Sequence, residues 1–107
     1  MNGTKTEGSV HQMYKAIVDL RDEEECRRFF EELCTDTELR SLKNRFDVAV
    51  ALLQDKAYME ILKQSATSTA TISRVRRNIL NNDRCVMRDV IFRNGFAADT
   101  GKQEDKK

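Results

Sequence analysis

Residues 58–80 read YMEILKQSATSTATISRVRRNIL. Ile61 and Leu62 are the apolar residues of a short helix expected over about 58–64. Ser65, Ala66, Thr67 and Ser68 follow, a run of small residues able to turn the chain and cap a helix. Ile72, Val75 and Ile79 then recur at helical spacing and predict a second helix over about 69–80. Helix, small-residue turn, helix is the order of a helix-turn-helix, whose second helix enters the DNA major groove. Ile61, Ile72 and Val75 would lock the two helices together, leaving Thr71, Arg74 and Asn78 on the other face. At the start of the second helix Ser68, Thr69, Ala70, Thr71 and Ser73 offer short hydroxyls and a methyl. Such groups permit close approach to base edges and thymine methyls. The free amides there suit a phosphate. Arg76, Arg77 and Arg84 can reach the flanking backbone. An ordinary packed helical hairpin fits the same pattern.

The chain holds no proline, and its four glycines (Gly3, Gly8, Gly95, Gly101) lie near its ends. Positions 9–94 therefore lack the strongest breakers, which favours helices over a β-sandwich or barrel. Upstream, Ser9 with Gln12 looks like a capping box before the stripe Val10, Met13, Ile17, Leu20, flanked by Tyr14 and Val18, a helix over about 10–20. Asp22 with Glu25 opens a second helix over about 23–34 that carries Cys26, Phe29, Phe30 and Leu33 on one face. Thr35 with Glu38 opens a long helix over about 36–54, striped by Leu39, Leu42, Phe46, Ala49, Val50 and Leu53. From Phe46 to Leu53 only Asp47 is polar. A helix that is apolar nearly all round needs cover on all sides, and so short a chain has little to surround it, so a partner chain is expected. Downstream, Asp83 is expected to cap a last helix over about 84–94 that buries Val86, Met87, Val90 and Ile91, with Asn94-Gly95 as its stop. The reading is one all-α domain over 9–94, with disordered ends at 1–8 and 95–107.

Charge is unevenly spread. The net charge is +1, yet residues 19–38 hold nine acids against three bases (−6), and residues 71–93 hold six arginines against two acids (+4). The second region invites an anionic partner, although solvated helix faces would give the same pattern. Cys26, Cys34 and Cys85 form no metal-binding spacing and suit buried thiols in a reducing cytoplasm. His11 has no cluster of ligands around it and reads as a surface residue. Glu23, Glu24 and Glu25 read as the acidic first turn of a helix. No apolar run approaches membrane length. No Gly-rich phosphate loop, nucleophile elbow or carboxylate pair with a partner base is present, so neither an enzyme nor a metal or other cofactor is expected.

A family resemblance then enters on specific residues. Thr69-Ala70-Thr71-Ile72-Ser73-Arg74-Val75 resembles the start of the recognition helix of Trp repressors. Cys34-Thr35-Asp36-Thr37-Glu38-Leu39, Leu42-Lys43-Asn44-Arg45 and Leu52-Leu53 resemble that family's buried central helix. The run from Glu23 to Thr35 is similar to the YerC/YecD-type Trp-repressor-like proteins. The likeness covers roughly residues 12–92. It implies an all-α fold of about six helices in which two chains interlace, sequence-specific binding to double-stranded DNA, and transcriptional regulation. It also implies an effector pocket at Thr35, Arg45 and Arg74, where planar guanidinium suits stacking on an indole and pairing with a carboxylate. The other reading is that Arg45 pairs with Asp47 or Glu38 while Arg74 contacts DNA. Three positions depart from the pattern. Alanine stands at Ala66, where many such turns have glycine, at a cost of about 1 kcal/mol if the position is left-handed. Leu62 stands where a small residue is usual, so the two helices are expected to splay. Val75 follows the second arginine where Trp repressors have glycine. Its isopropyl narrows the pocket or, if it joins the stripe with Ile72 and Ile79, turns inward and leaves the pocket open. On the steric reading tryptophan is not favoured as effector.

The expectation is a cytoplasmic, homodimeric helix-turn-helix repressor with Ser68, Thr69, Ala70, Thr71, Ser73, Arg74, Arg76 and Arg77 at DNA. The rival is a helical protein-interaction module that kept the fold and lost DNA binding, with its acidic region facing a basic partner.

Overall fold

A computed structural model describes residues 2–64 and 67–98. Six α-helices follow one another: α1 (Asn2–Val18), α2 (Glu23–Leu33), α3 (Asp36–Leu53), α4 (Tyr58–Gln64), α5 (Thr69–Asn81) and α6 (Val86–Arg93). No strand occurs among the described residues. The chain divides into two compact units, residues 1–39 and 40–107, with the division inside α3.

In the first unit, side-chain caps fix where helices begin. Asp22 is extended and its carboxylate accepts the Glu25 amide at 2.8 Å, while Glu25 accepts the Arg21 amide. Thr35 and Glu38 form a reciprocal box: the Thr35 hydroxyl accepts the Glu38 amide at 3.1 Å, and the Glu38 carboxylate accepts the Thr35 amide at 2.9 Å. Each box satisfies amides that the helix itself cannot. The Ser9–Gln12 box does not form a boundary. Helix α1 runs through it from Asn2, and residues 2–8, expected to be disordered, are helical. The physical reason is that neither Gly3 nor Gly8 removes an amide donor. A mid-helix glycine costs only about 0.5–1 kcal/mol.

No residue of α2 is buried. The apolar stripe of α1 is half-covered at Ile17, as is Leu20 beyond the helix end, and Val10, Met13, Tyr14 and Val18 are exposed, Val18 at 84%. Helix α2 makes its own local contacts, an edge-to-face pair of Phe29 and Phe30 and a salt bridge from Arg27 to Glu31. Such exposed pairs contribute little to stability.

In the second unit lies the core. Val48, Ala49, Ile61, Ile72, Val75, Ile79, Cys85, Ile91 and Ala97 are buried in one cluster drawn from α3, α4, α5, α6 and the residues after α6. Leu52, Leu53, Leu62, Met87 and Phe92 pack against it. Two helix ends are closed by paired bonds of the Schellman type. After α6, the Gly95 amide reaches the Phe92 carbonyl and the Phe96 amide the Ile91 carbonyl, with Gly95 at φ +77°. Residues 95–98, expected to belong to a disordered tail, are thereby folded back. Ala97 is buried, and the Phe96 ring meets Phe46 edge-on at 6.1 Å. The rest of that tail, 99–107, lies outside the described residues.

After α3 the same motif recurs with Asp55 in the left-handed position, φ 64°. The Asp55 and Lys56 amides bond the carbonyls of Leu52 and Ala51. A side chain there meets steric strain that glycine avoids, and its negative charge opposes the helix dipole. Asp55→Gly is therefore expected to raise stability by about 0.5–1 kcal/mol, seen as a thermal midpoint a few degrees higher. An unchanged or lower midpoint would contradict the strain argument.

The last helix corrects one expected cap. Asp83 does not cap it. The Asn82 side chain instead accepts the Arg84 amide at 3.0 Å and turns the chain, and α6 starts two residues later than expected. Cys85 is the cap, its sulfur accepting the Arg88 amide at 3.4 Å.

Candidate nucleic-acid interface

Helices α4 and α5 are joined by residues 65–68, the sequence order of a helix-turn-helix. The turn positions Ser65 and Ala66 lie outside the described residues. On the inner side, Ile61 of α4 and Ile72, Val75 and Ile79 of α5 are all buried in the second unit's core, as the 3.6-residue period requires. Leu62 is half-buried and packs against the same cluster.

Ser68 opens α5 from an extended conformation (φ −75°, ψ 159°). Its hydroxyl oxygen accepts the Thr71 amide at 3.2 Å, and its carbonyl accepts the Ile72 amide. The Ser68 hydroxyl also lies 3.2 Å from the Thr71 hydroxyl. Thr71 is half-buried and tied into this cap, so it does not lie on the open face where the sequence places it. At 100° per residue, Thr71 falls about 70° from the centre of the buried stripe, whereas Ala70, Ser73, Arg74 and Arg77 fall near its opposite side. Thr69, Ala70, Ser73, Arg74, Arg76, Arg77 and Asn78 are all exposed. Ser73, Arg76, Arg77, Leu80 and Asn81 line a shallow open depression along the helix.

The electrostatics separate this helix from the rest of the chain. The ion pairs among the described residues join Arg27 to Glu24 and Glu31 and Lys43 to Asp47, all on α2 and α3. None of them involves an arginine between 74 and 93. The guanidinium groups of Arg74, Arg76 and Arg77 make no hydrogen bond or ion pair among the described residues. Three uncompensated cations on exposed positions of one helix, Arg74 and Arg77 on its open face and Arg76 at that face's edge, suit a polyanion.

The positions that the resemblance assigns to an effector are distributed over both units. Thr35 belongs to residues 1–39, and its hydroxyl and amide are engaged in the α3 cap. Arg45 and Arg74 belong to residues 40–107 and are exposed. Neither acid suggested for Arg45 takes it, because Asp47 binds Lys43 at 2.6 Å and Glu38 binds the Thr35 amide. Val75 turns inward, 4% exposed in the core. Among the described residues there is no group of three or more histidine, cysteine or acidic side chains able to hold a metal. Among them, too, no helix is long and apolar enough to cross a membrane.

One arginine behaves differently from its neighbours. Arg88, which the sequence groups with the basic stretch, is half-buried, and its guanidinium donates to the carbonyls of Ile79, Asn82 and Asp83. Charge counting could not have distinguished it. The only hint in the sequence is that α5 ends without a glycine or a basic residue in its last turn.

Comparison with known proteins places the sequence in a family and the fold beside solved structures. The sequence matches the Trp repressor protein family over residues 8–90. It is 47% identical over 68 residues to YerC of Bacillus subtilis (strain 168), itself uncharacterized; the match covers 64% of this chain and 65% of YerC. The fold is similar to a crystal structure of a candidate Trp repressor from Staphylococcus aureus, with TM-score 0.77 and 36% identity, covering 83% of this chain and 88% of that one. It is also similar to a TrpR-like protein from Eubacterium eligens ATCC 27750, with TM-score 0.76 and 40% identity, covering 91% and 98%.

Proposed function

The chain belongs to the Trp repressor family, and on that premise we propose that it is a cytoplasmic, homodimeric transcriptional regulator that binds double-stranded DNA through α4 and α5 and acts as a repressor. The observation that carries this reading is the set of unneutralised guanidiniums of Arg74 and Arg77 on the open side, with Arg76 at its edge, of a helix whose inner side is locked into the core. Ala70 and Ser73, small and exposed on that side, read base edges together with Arg74. Thr69 and the cap at Ser68 lie at the helix start, where a phosphate is favoured. Thr71 supports the cap. Arg76 and Arg77 hold phosphates on either flank.

The homodimer is supported by what each unit leaves uncovered. The first unit exposes Val10, Met13, Tyr14, Val18 and Leu33, and the second exposes Leu42, Phe46 and Phe96. Apolar surface on this scale in a chain of 107 residues marks an interface. A two-fold dimer presents two recognition helices to half-sites about one helical turn, ~34 Å, apart. Selection of bound duplexes from a random pool tests the proposal. It should converge on a two-fold symmetric sequence with that spacing. A pool that stays random after repeated rounds would contradict it.

The reading includes no strong response to tryptophan. Val75 turns into the core and does not narrow the pocket; what supports the absence of a response is that the Thr35 hydroxyl and amide are already taken up by the α3 cap. Calorimetry with millimolar L-tryptophan is expected to give no saturable heat in the micromolar range. Saturable micromolar binding coupled to tighter DNA binding would restore the corepressor role. Because Val75 is a core residue, Val75→Gly should also destabilise the fold, by about 2–4 kcal/mol from the cavity and the helical glycine.

A further inference from the structure

The clamp formed by Arg88 has a consequence for DNA recognition. From α6, Nη1 donates to the Ile79 carbonyl at 2.6 Å, and Nη2 donates to the carbonyls of Asn82 and Asp83 at 3.3 and 3.2 Å. Ile79 lies in the last turn of α5, Asn82 is its C-cap, and Asp83 follows. The last carbonyls of a helix have no partner within it and carry the negative end of its dipole. Helix α5 ends on an extended residue, so no left-handed glycine folds amides back onto them. One guanidinium from the next helix takes their place, sharing the Asn82 carbonyl with the Cys85 amide at 3.2 Å, with the charge-assisted bonds that a fork of donors allows.

Helix α6 is itself held. Ile91 is fully buried, and its C-terminal motif ends at Phe96, whose carbonyl accepts the Gln54 side chain at 3.0 Å and whose ring packs on Phe46 of α3. The C-terminal end of α5 is therefore tied through Arg88 and α6 to the central helix, while its other end is tied by the Ser68 cap and buried Ile72.

We infer that Arg88 is a positioning residue for the recognition helix. It fixes the orientation of α5 relative to α3, and hence the separation of the two recognition helices in the dimer, without touching DNA itself. The inference rests on the DNA-binding reading above. It removes one arginine from the basic stretch as a phosphate ligand and makes it a determinant of half-site spacing.

Two variants test it, each read in two ways. Arg88→Gln keeps much of the aliphatic stem and removes the charge and the fork. Arg88→Lys keeps the charge and can serve fewer carbonyls at once. Without DNA, amide exchange at residues 80–84 should accelerate roughly tenfold or more in Arg88→Gln, as expected for removing one charged hydrogen bond. It should accelerate less in Arg88→Lys, and residues 48–53 should keep their protection in both. With the selected duplex and copies whose half-sites are moved by one base pair either way, the wild type should discriminate sharply. The variants should bind the best spacing roughly tenfold more weakly, with flattened discrimination and an unchanged dependence on salt, because every phosphate stays neutralised as before.

A smaller salt slope with unchanged exchange would make Arg88 a phosphate ligand and overturn the inference. Unchanged exchange together with unchanged spacing preference would overturn it as well. A wild type that binds no duplex overturns the DNA-binding reading and the positioning role with it, even if the exchange data show that the clamp holds. Should Arg88→Gln fail to fold, Arg88→Lys carries the same comparisons.

Discussion

Replacing Arg76 and Arg77 together by alanine is expected to abolish most DNA binding while leaving the fold intact. Both side chains are exposed and free of intramolecular partners among the described residues, so their removal creates no orphaned group and no cavity. Each charged hydrogen bond to a phosphate is worth about 1.5 kcal/mol or more, a little over tenfold in affinity. The pair should therefore cost on the order of 100-fold per chain for any duplex sequence. The slope of log affinity against log salt should fall by roughly 0.9 for each phosphate that the variant no longer neutralises. Ser73 and Arg74 variants should behave differently, changing which sequence is preferred more than they change non-specific affinity. Equal affinity of wild type and the double variant at moderate salt would show that this face of α5 does not meet DNA.

The second large effect concerns assembly. Met13 sits mid-stripe on α1, 38% exposed in the single chain. If a second copy covers that stripe, Met13→Glu places an unpaired carboxylate in an apolar interface, at a cost of several kcal/mol. Sedimentation at micromolar concentration should then give the mass of one chain, or an unfolded chain, where the wild type gives twice the chain mass. The wild-type thermal midpoint should rise with protein concentration, and that dependence should vanish in the variant. A wild type that sediments as a folded single chain with a concentration-independent midpoint would remove the dimer from this account. Disrupting the dimer should also weaken DNA binding, since the two half-sites would no longer be held by one particle.

Much of this was legible in the sequence because local rules and burial point the same way. The absence of proline, the boxes Asp22–Glu25 and Thr35–Glu38, and the stripe Ile72, Val75, Ile79 each specify a helix and its inner face without long-range information. The Asn94-Gly95 stop likewise marked the end of α6. What escaped was set by tertiary context. Nothing near Ser9 says that α1 continues to Asn2. The packing of Ala97 and Phe96 depends on α3, more than forty residues upstream. The cap at Cys85 is a weak acceptor that succeeds because Asn82 has already turned the chain. At the site, periodicity identified α5 but assigned Thr71 to the open face, since a residue beside the stripe can point either way until its cap bonds are known. It could not decide between the two orientations of Val75. Nor could it separate Arg88 from Arg76 and Arg77, because charge is visible in sequence and the carbonyls that absorb it are not.

A folded, dimeric chain that binds DNA through cations on α5 has to lose affinity as salt rises, and that is the behaviour to measure. Equilibrium binding to mixed-sequence duplex DNA between about 50 and 200 mM salt tests it most directly. Log affinity should fall linearly and steeply with log salt, with a slope corresponding to several neutralised phosphates and reduced in the Arg76/Arg77 double variant. Binding that is absent at low salt, or that does not respond to salt, would contradict it and favour a helical interaction module that shares the fold.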